Sequence, residues 1–375
     1  MQNLPEILKI VEGGIRRDVP KVLRYVELLC AKLQAEGDVR SADLLRQTAG
    51  NLAARTLKAA DVATRPQIPV DSESRVSVAQ VDEYKEEVPL VVSNDAAVQL
   101  EEFLTAYGRR GDLQSSGVTS PGHVLLFGPP GCGKTQAAKY LAQRLRVPLV
   151  TARLDGLVSS FLGSTSKNIR ALFEFVDSMP CLLFLDEFDA IAKMRDDPHE
   201  LGELKRVVNS LLQNIDLLPP DVSVLAATNH EHLLDPAVWR RFEYHIEFEL
   251  PNLEVRQALL NIYMPGEFES ELIRVVARLT EGCSASDLAS ICNSIGRNLA
   301  LEGRRAAGLA EAVKFAGRIL SRNPETPAAL CMTGATNERI IKFRDFDADI
   351  FTYDVISKIL GVSTGKISGV LSRRA

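Results

Sequence analysis

Five short apolar runs punctuate the middle of the chain: His123–Phe127, Leu149–Ala152, Cys181–Leu185, Val222–Ala227 and Tyr244–Phe248. Each is strand-length and mostly apolar, suggestive of a buried strand. Between them, apolar residues recur at helical spacing, as at Ala137, Ala138, Leu141 and Leu145. Strands alternating with helices predict an α/β fold, a parallel sheet flanked by helices. Outside this block the pattern is helical. Leu4, Ile7, Leu8 and Val11 make one stripe. Val19, Val22, Leu23, Val26, Leu29 and Leu33 make a second, and Ala42–Leu57 a third around Leu44, Leu45 and Leu52. Residues 1–60 therefore read as a helical N-terminal module, suited to docking a partner or to packing against other chains. A helix over Ala96–Tyr107 leads into the sheet. Past it, Leu253–Met264, Glu269–Leu279 and the stretch opened by Ser286-Asp287 predict a small helical domain over 253–303. A helical C-terminal extension spans 304–375, and the α/β domain itself spans 89–252.

Composition changes this picture in one place. Pro66, Pro69, Ser72, Ser74, Ser77 and the charged DEYKEE run make 61–88 read as a linker. Elsewhere the 375 residues are ordinary, 46% hydrophobic and 25% charged. A net charge of −5 argues against a broad nucleic-acid or anionic-membrane footprint. Neither a membrane-spanning run nor a signal-peptide pattern is expected. The six cysteines are scattered without a C-x-x-C pair, so neither a disulfide framework nor a structural zinc site is expected and a reducing cytoplasm is the simplest home.

The chemistry begins at Gly128–Thr135, GPPGCGKT, which fits the phosphate-loop pattern G-x-x-x-x-G-K-[ST] between a strand and a helix. Gly128, Gly131 and Gly133 let the backbone of Gly128, Pro129, Pro130, Gly131, Cys132 and Gly133 curl so that N–H groups face phosphate oxygens. Lys134 reaches the outer phosphates and Thr135 offers a hydroxyl to Mg²⁺. In isolation a Gly-Pro turn before a helix looks similar. The second signature argues against that. CLLFLDEFDA is an apolar strand ending in two carboxylates, at the strand end where open α/β sheets bind ligands. Asp186 would hold Mg²⁺ and Glu187 would act as general base on the attacking water. Together they predict a phosphate-loop nucleoside-triphosphatase using ATP and Mg²⁺.

Several further motifs, in order, resemble the AAA family of ATPases within the AAA+ superfamily, over roughly Pro89–Ala300. SSFLGSTSKNIRALFE resembles that family's central-pore loop, with Phe161, Leu162 and Gly163 at its aromatic-hydrophobic-glycine tripeptide. Asn229, closing VLAATN, resembles the polar residue that orients the lytic water. Arg240 and Arg241 in DPAVWRRF resemble arginine fingers that reach the γ-phosphate of a neighbouring subunit, and Asp216 stands where an acidic residue relays between subunits. The S-A-S-D stretch resembles the family's lid. There Ala285, counted with the nucleotide site, stands where other AAA+ clades carry an arginine, and Gly282 and Cys283 would lie near the base. The resemblance implies a homo-oligomer, a hexameric ring that remodels, unfolds or disassembles a protein substrate, working with a protease or adaptor. Two departures stand out. Cys132 replaces the usual Thr or Ser and raises the question of oxidation. Ser164-Thr165 replaces the pore loop's common acidic residues.

The chain ends in a second pattern, TYDVISKILGVSTGKISGVLSRRA, which reads as helix, Gly361-Val362-Ser363 turn, helix. Val355, Ile356, Ile359 and Leu360 would pack on Ile367, Val370 and Leu371. Residues 351–375 carry four basic side chains and one acidic, a local +3. The alternatives to a remodelling ring are therefore a DNA-associated ATPase using residues 352–375, or a nucleotide-switched scaffold.

Overall fold

The computed structural model describes scattered positions between 7 and 46, then 68–70, 77–109, 113, 116–117, 122–153, 162–177, 181–189, 201–218 and 222–373. The chain forms two compact units, Met1–Gln67 and Ile68–Ala375. In the first, the described positions are nearly all helical, and Val26, Cys30 and Ala42 make a small core flanked by Ile10, Val22, Leu33 and Leu45. Ile7, Val11 and Leu44, read from spacing as core, are exposed. Leu4, Leu8, Val19, Leu23 and Leu52 lie outside the described residues.

The second unit is built on a six-stranded sheet: β1 (Ala79–Asp82), β2 (Val124–Phe127), β3 (Leu149–Ala152), β4 (Cys181–Leu185), β5 (Val222–Thr228) and β6 (Tyr244–Glu247), in the order β1-β3-β4-β5-β2-β6. β2 to β6 are parallel as expected. β1 is the difference. It pairs antiparallel with β3 inside the stretch read as a linker, Ala79 opposite Ala152. Its sequence, AQVD, is short and half polar because an edge strand buries little, so it resembles a loop in composition.

The apolar runs face both ways. Leu125, Leu183, Leu185, Val224 and Ala226 pack into one layer with α3 (Leu162–Asp177) and α4 (Leu201–Asp216). Their neighbours Val124, Leu126, Leu182, Phe184 and Leu225 pack into the other with α1 (Asn94–Gly108) and α2 (Lys134–Leu145). Alternate side chains thus fill opposite cores, which is why β2 and β4 carry no polar position.

After the short α5 (Pro236–Trp239) and β6, the chain turns into α6 (Leu253–Tyr263), α7 (Ser270–Leu279) and α8 (Ala285–Glu302). Asn252 caps α6 through Val255 N, 2.9 Å away, and Ser284 and Asp287 form a reciprocal capping box on α8. Arg256, 4% exposed, donates to the carbonyls of Ala277 and Pro251, both at 2.7 Å, and so anchors α6 to α7 and to the connection from the sheet. The helical packing does not stop at 303. Ala312, Phe315 and Ala316 of α9 (Leu309–Leu320) enter the same core as Leu260, Ile273 and Ile291.

The remaining helices are α10 (Pro327–Cys331), α11 (Thr336–Phe346), α12 (Tyr353–Leu360) and α13 (Thr364–Ser372). They share a further core in which Val275, Leu279, Val313 and Leu320 of the lid meet Ile340, Phe343, Phe351, Val355, Ile356 and Ile367. Phe343 and Phe351 stack with centroids 5.1 Å apart. Arg278 of α7 donates to Asp347 at 2.8 Å and lies over the Phe346 ring.

Candidate active site

Strand order explains why distant motifs converge. β5 lies between β4 and β2, so residue 229 at its carboxyl end falls between Asp186-Glu187 and the loop after β2. A cleft of about 380 Å³ there is lined by Gly131, Lys134, Thr135, Asp186, Glu187 and Asn229, and by Tyr263, Ala285, Ser286 and Ala289 from the lid. A larger cavity of about 750 Å³ on the outer face of α1 has no such set. An adjoining crevice, meeting the cleft at Ala285, is walled by Val91, Val92, Cys132, Val255 and Leu259.

The loop itself is shaped for an anion. Gly128, Gly131 and Gly133 all have φ between 76° and 125°. A side chain on Gly128 would meet the Phe248 carbonyl at 2.4 Å, and one on Gly131 would meet Ser284 Oγ at 2.8 Å. Gly133 opens α2 without a side-chain cap, which leaves the helix's positive end to a ligand. Lys134, 7% exposed, donates to the carbonyls of Gly128 and Pro129 at 2.7 and 2.8 Å. Burial draws its pKa below the ordinary lysine value, against the raising influence of Asp186, Asp189 and Glu231. Pro130 lines the cleft mouth beside Gly131. Ser286 N donates to Gly131 O at 3.0 Å, so the lid touches the loop directly.

Thr135 Oγ1 donates to Asp186 Oδ2 at 3.0 Å, and Glu187 N donates to Asp186 Oδ1 at 3.0 Å. A hydroxyl and a carboxylate side by side are hard oxygen donors, the set Mg²⁺ accepts beside phosphates. Glu187 has φ 51°, left-handed backbone at a non-glycine residue. Such a conformation costs about 1 kcal/mol or more. Glu187→Gly should therefore raise the urea midpoint of the nucleotide-free protein, by about 1 kcal/mol of stability. A lower midpoint would show that the Glu187 backbone is unstrained.

Asp189 is the residue that motif reading passed over. Buried behind Glu187, its Oδ1 accepts from Thr228 Oγ1 at 3.1 Å and from Asn229 N at 3.4 Å. It ties the end of β4 to the end of β5 and fixes where Asn229 stands relative to Asp186. A third carboxylate in DEFDA was the available signal.

Three expected features are placed differently. Leu162 and Gly163 form the first turn of α3 rather than a loop, because only Gly163 disfavours helix there and a first turn tolerates it. Phe161 lies outside the described residues, and Thr165 is buried, so it faces no substrate. Cys283 packs among Val275, Leu279 and Val313 in the lid's outer core, away from the cleft, and burial pushes its thiol up to about 11. Cys132 is buried too, its thiol pKa raised by burial against a lowering influence from Lys134. A raised thiol pKa lowers the share of reactive thiolate.

Arg240 and Arg241 stand apart from the cleft lining. Arg240 caps the end of α5 and is exposed. Arg241 donates to Ala237 O at 3.1 Å and pairs with Asp216 at 3.4 Å.

Residues 124–250 match the model of the "ATPase family associated with various cellular activities (AAA)". An uncharacterized AAA family ATPase of Sinorhizobium fredii is 36% identical over 251 residues, 66% of this chain and 75% of the relative. The chain belongs to the AAA family of ATPases. This AAA ATPase is also 32% identical to a proteasome-activating nucleotidase of Methanopyrus kandleri, over 69% of its own length and 62% of that relative. It is 33% identical to the ATP-dependent zinc metalloprotease FtsH of Thermus thermophilus over 65% of its length, but spans only 38% of that protein. The FIGL-1 AAA domain superposes with a TM-score of 0.54 at 23% identity, over 70% of this ATPase and 90% of that structure. Among the described residues of the ATPase, no helix is long and apolar enough to cross a membrane.

Proposed function

We propose that this ATPase works as an oligomeric ring, a hexamer by family resemblance, that spends ATP to remodel, unfold or disassemble a protein substrate. The observation that carries the oligomer is the composition of the cleft. It gathers the phosphate loop, Lys134, Thr135, Asp186, Glu187 and Asn229, yet among the described residues no arginine lines it, while Arg240 and Arg241 lie elsewhere on the same chain. Phosphoryl transfer develops charge on the γ-phosphate that a guanidinium is suited to stabilise. A neighbouring subunit is the natural source.

In this reading Lys134 and the N–H groups of 128–133 hold the triphosphate. Val91, Val92, Leu259 and Ala285 stand on the crevice where the base would enter, whose lining is part polar and part apolar. Thr135 and Asp186 would hold Mg²⁺, which when bound neutralises charge on the outer phosphates. Glu187 takes a proton from the attacking water, and Asn229 orients that water. Ser286 on Gly131 gives the lid a means of sensing the loop, so that the nucleotide cycle turns the lid against the sheet. A protein substrate is supported by the pore-loop resemblance at Phe161 and by the names of the proteasome-activating and protease relatives. A separate protease or adaptor would then complete the system, in a reducing cytoplasm that keeps the six cysteines as thiols.

Trapping tests it. Glu187→Gln should bind ATP without turnover and hold client polypeptides that ADP releases. Adding Phe161→Ala should abolish that retention, while Phe161→Ala alone leaves basal ATP hydrolysis within about twofold. Client retention that ignores Phe161 would sink the pore model. Full biological activity in Glu187→Gln would instead favour a switched scaffold.

A further inference from the structure

The last three helices of the chain line no part of the ATP cleft, and they share one core with the lid. α12 and α13 are joined by a three-residue turn in which Gly361 adopts φ 64° and Ser363 caps α13 through Lys366 N at 3.3 Å. Both pack on α11, and Ile340, Phe343, Val355, Ile356 and Ile367 make the shared interior. This is a helix-turn-helix braced by a third helix.

The two surfaces of the unit differ. The side toward the lid is tied down: Lys358 pairs with Glu271 at 2.6 Å, Arg278 with Asp347 at 2.8 Å, and α9 packs on α12. The outward face of α13 presents Thr364, Lys366, Ser368 and Arg373, all exposed, and α13 contains no acidic residue. Gly365 and Gly369 sit on the same helix with nothing within 4 Å of where a Cβ would be. Glycine weakens a helix, and among the described residues no packing requires it at either position. Bare backbone at these positions lets a partner approach closely. Tyr353, 38% exposed, opens α12.

These chemistries select among partners. A protein interface is anchored by buried aromatic and large apolar side chains, and the exposed face of α13 has none. Single-stranded nucleic acid needs stacking platforms, also missing from α13. Lysine, arginine, serine and threonine on a slim helix suit the base edges and phosphates of a duplex major groove. Asp354, the nearest acidic group on α12, is paired with Lys358 at 3.6 Å. We propose that the C-terminal three-helix unit docks duplex DNA, with α13 in the major groove and Tyr353 at the flanking backbone. The unit would then ride on the lid through the Arg278–Asp347 and Lys358–Glu271 pairs.

Fluorescence anisotropy of the full chain with a labelled 30-base-pair mixed-sequence duplex, without nucleotide, tests this independently of the ATPase reading. With two phosphate contacts, from Lys366 and Arg373, affinity should fall about twelvefold between 50 and 200 mM salt. The double variant Lys366→Glu, Arg373→Glu should bind at least about tenfold more weakly at 50 mM salt and flatten the salt slope. Its basal ATP turnover should be unchanged, which shows that the fold survives. Absence of duplex binding by the natural sequence at 50 mM salt overturns the proposal. So does equal binding by the double variant, or binding of a 30-nucleotide single strand as tight as the duplex. No DNA binding together with altered self-association of the double variant would make this face a subunit contact instead.

Discussion

Replacing Lys134 with alanine is expected to lower kcat/KM for ATP at least about a hundredfold, about 2.7 kcal/mol. The reason lies in where the ammonium stands. It is almost wholly buried, and the carbonyls of Gly128 and Pro129 hold it across the mouth of the loop. Burial disfavours its charge, so the site is poised to gain when anionic phosphates arrive and supply the missing counter-charge. An alanine leaves the outer phosphates without the ammonium that the loop itself holds. Binding of a fluorescent ATP analogue should weaken in parallel, because the contact exists in the ground state as well as in the transition state. Lys134→Arg should not rescue, since a fork longer than the ammonium has no room against two carbonyls under 3 Å away. Turnover within tenfold of the natural protein in Lys134→Ala would show that the phosphates lie elsewhere.

Arg240→Ala and Arg241→Ala are expected to cut turnover by about a thousandfold while leaving ATP binding intact. Neither side chain lines the cleft of its own chain, so neither should hold the ground-state nucleotide there. Arg241 rests against Asp216 at 3.4 Å, with both groups partly exposed. Exposed pairs of this kind are worth at most about 1 kcal/mol, weak enough to be exchanged for a phosphate. The deciding measurement is a mixture. Lys134→Ala chains supply intact arginines but no working cleft, and Arg241→Ala chains supply the reverse. Mixing the two should restore activity in proportion to the oligomers formed, and dilution should remove it. If mixing restores nothing while both variants still assemble, the arginines act within one chain and the interface model fails.

The two predictions depend on unequal kinds of legibility. The phosphate loop was readable because its chemistry is local: glycines, a lysine and a threonine at fixed spacing between one strand and one helix. β2, β4 and β5 were readable because burial on both faces leaves them almost wholly apolar, whereas the edge strand β6, YHIE, buries only Ile246. Asp186 and Glu187 followed from their place at a strand end. Asp189 did not, because its partners Thr228 and Asn229 are some forty residues away and meet it only when β4 and β5 pair. The crevice at Val91, Leu259 and Ala285 was hidden for the same reason, being assembled from three separate elements. β1 was missed because a half-polar edge strand carries the composition of a linker.

By itself the sequence determined the family and the fold class and pointed to a candidate phosphate site, since those rest on contacts between near neighbours and on strand burial. Tertiary structure alone decided four things. It added an antiparallel edge to the sheet, extended the lid packing through α9, buried Cys132 and Cys283, and left Arg240 and Arg241 outside the cleft. Each depends on which surfaces meet across long chain separations. Spacing along the chain encodes which face a residue lies on, but not what that face finally touches.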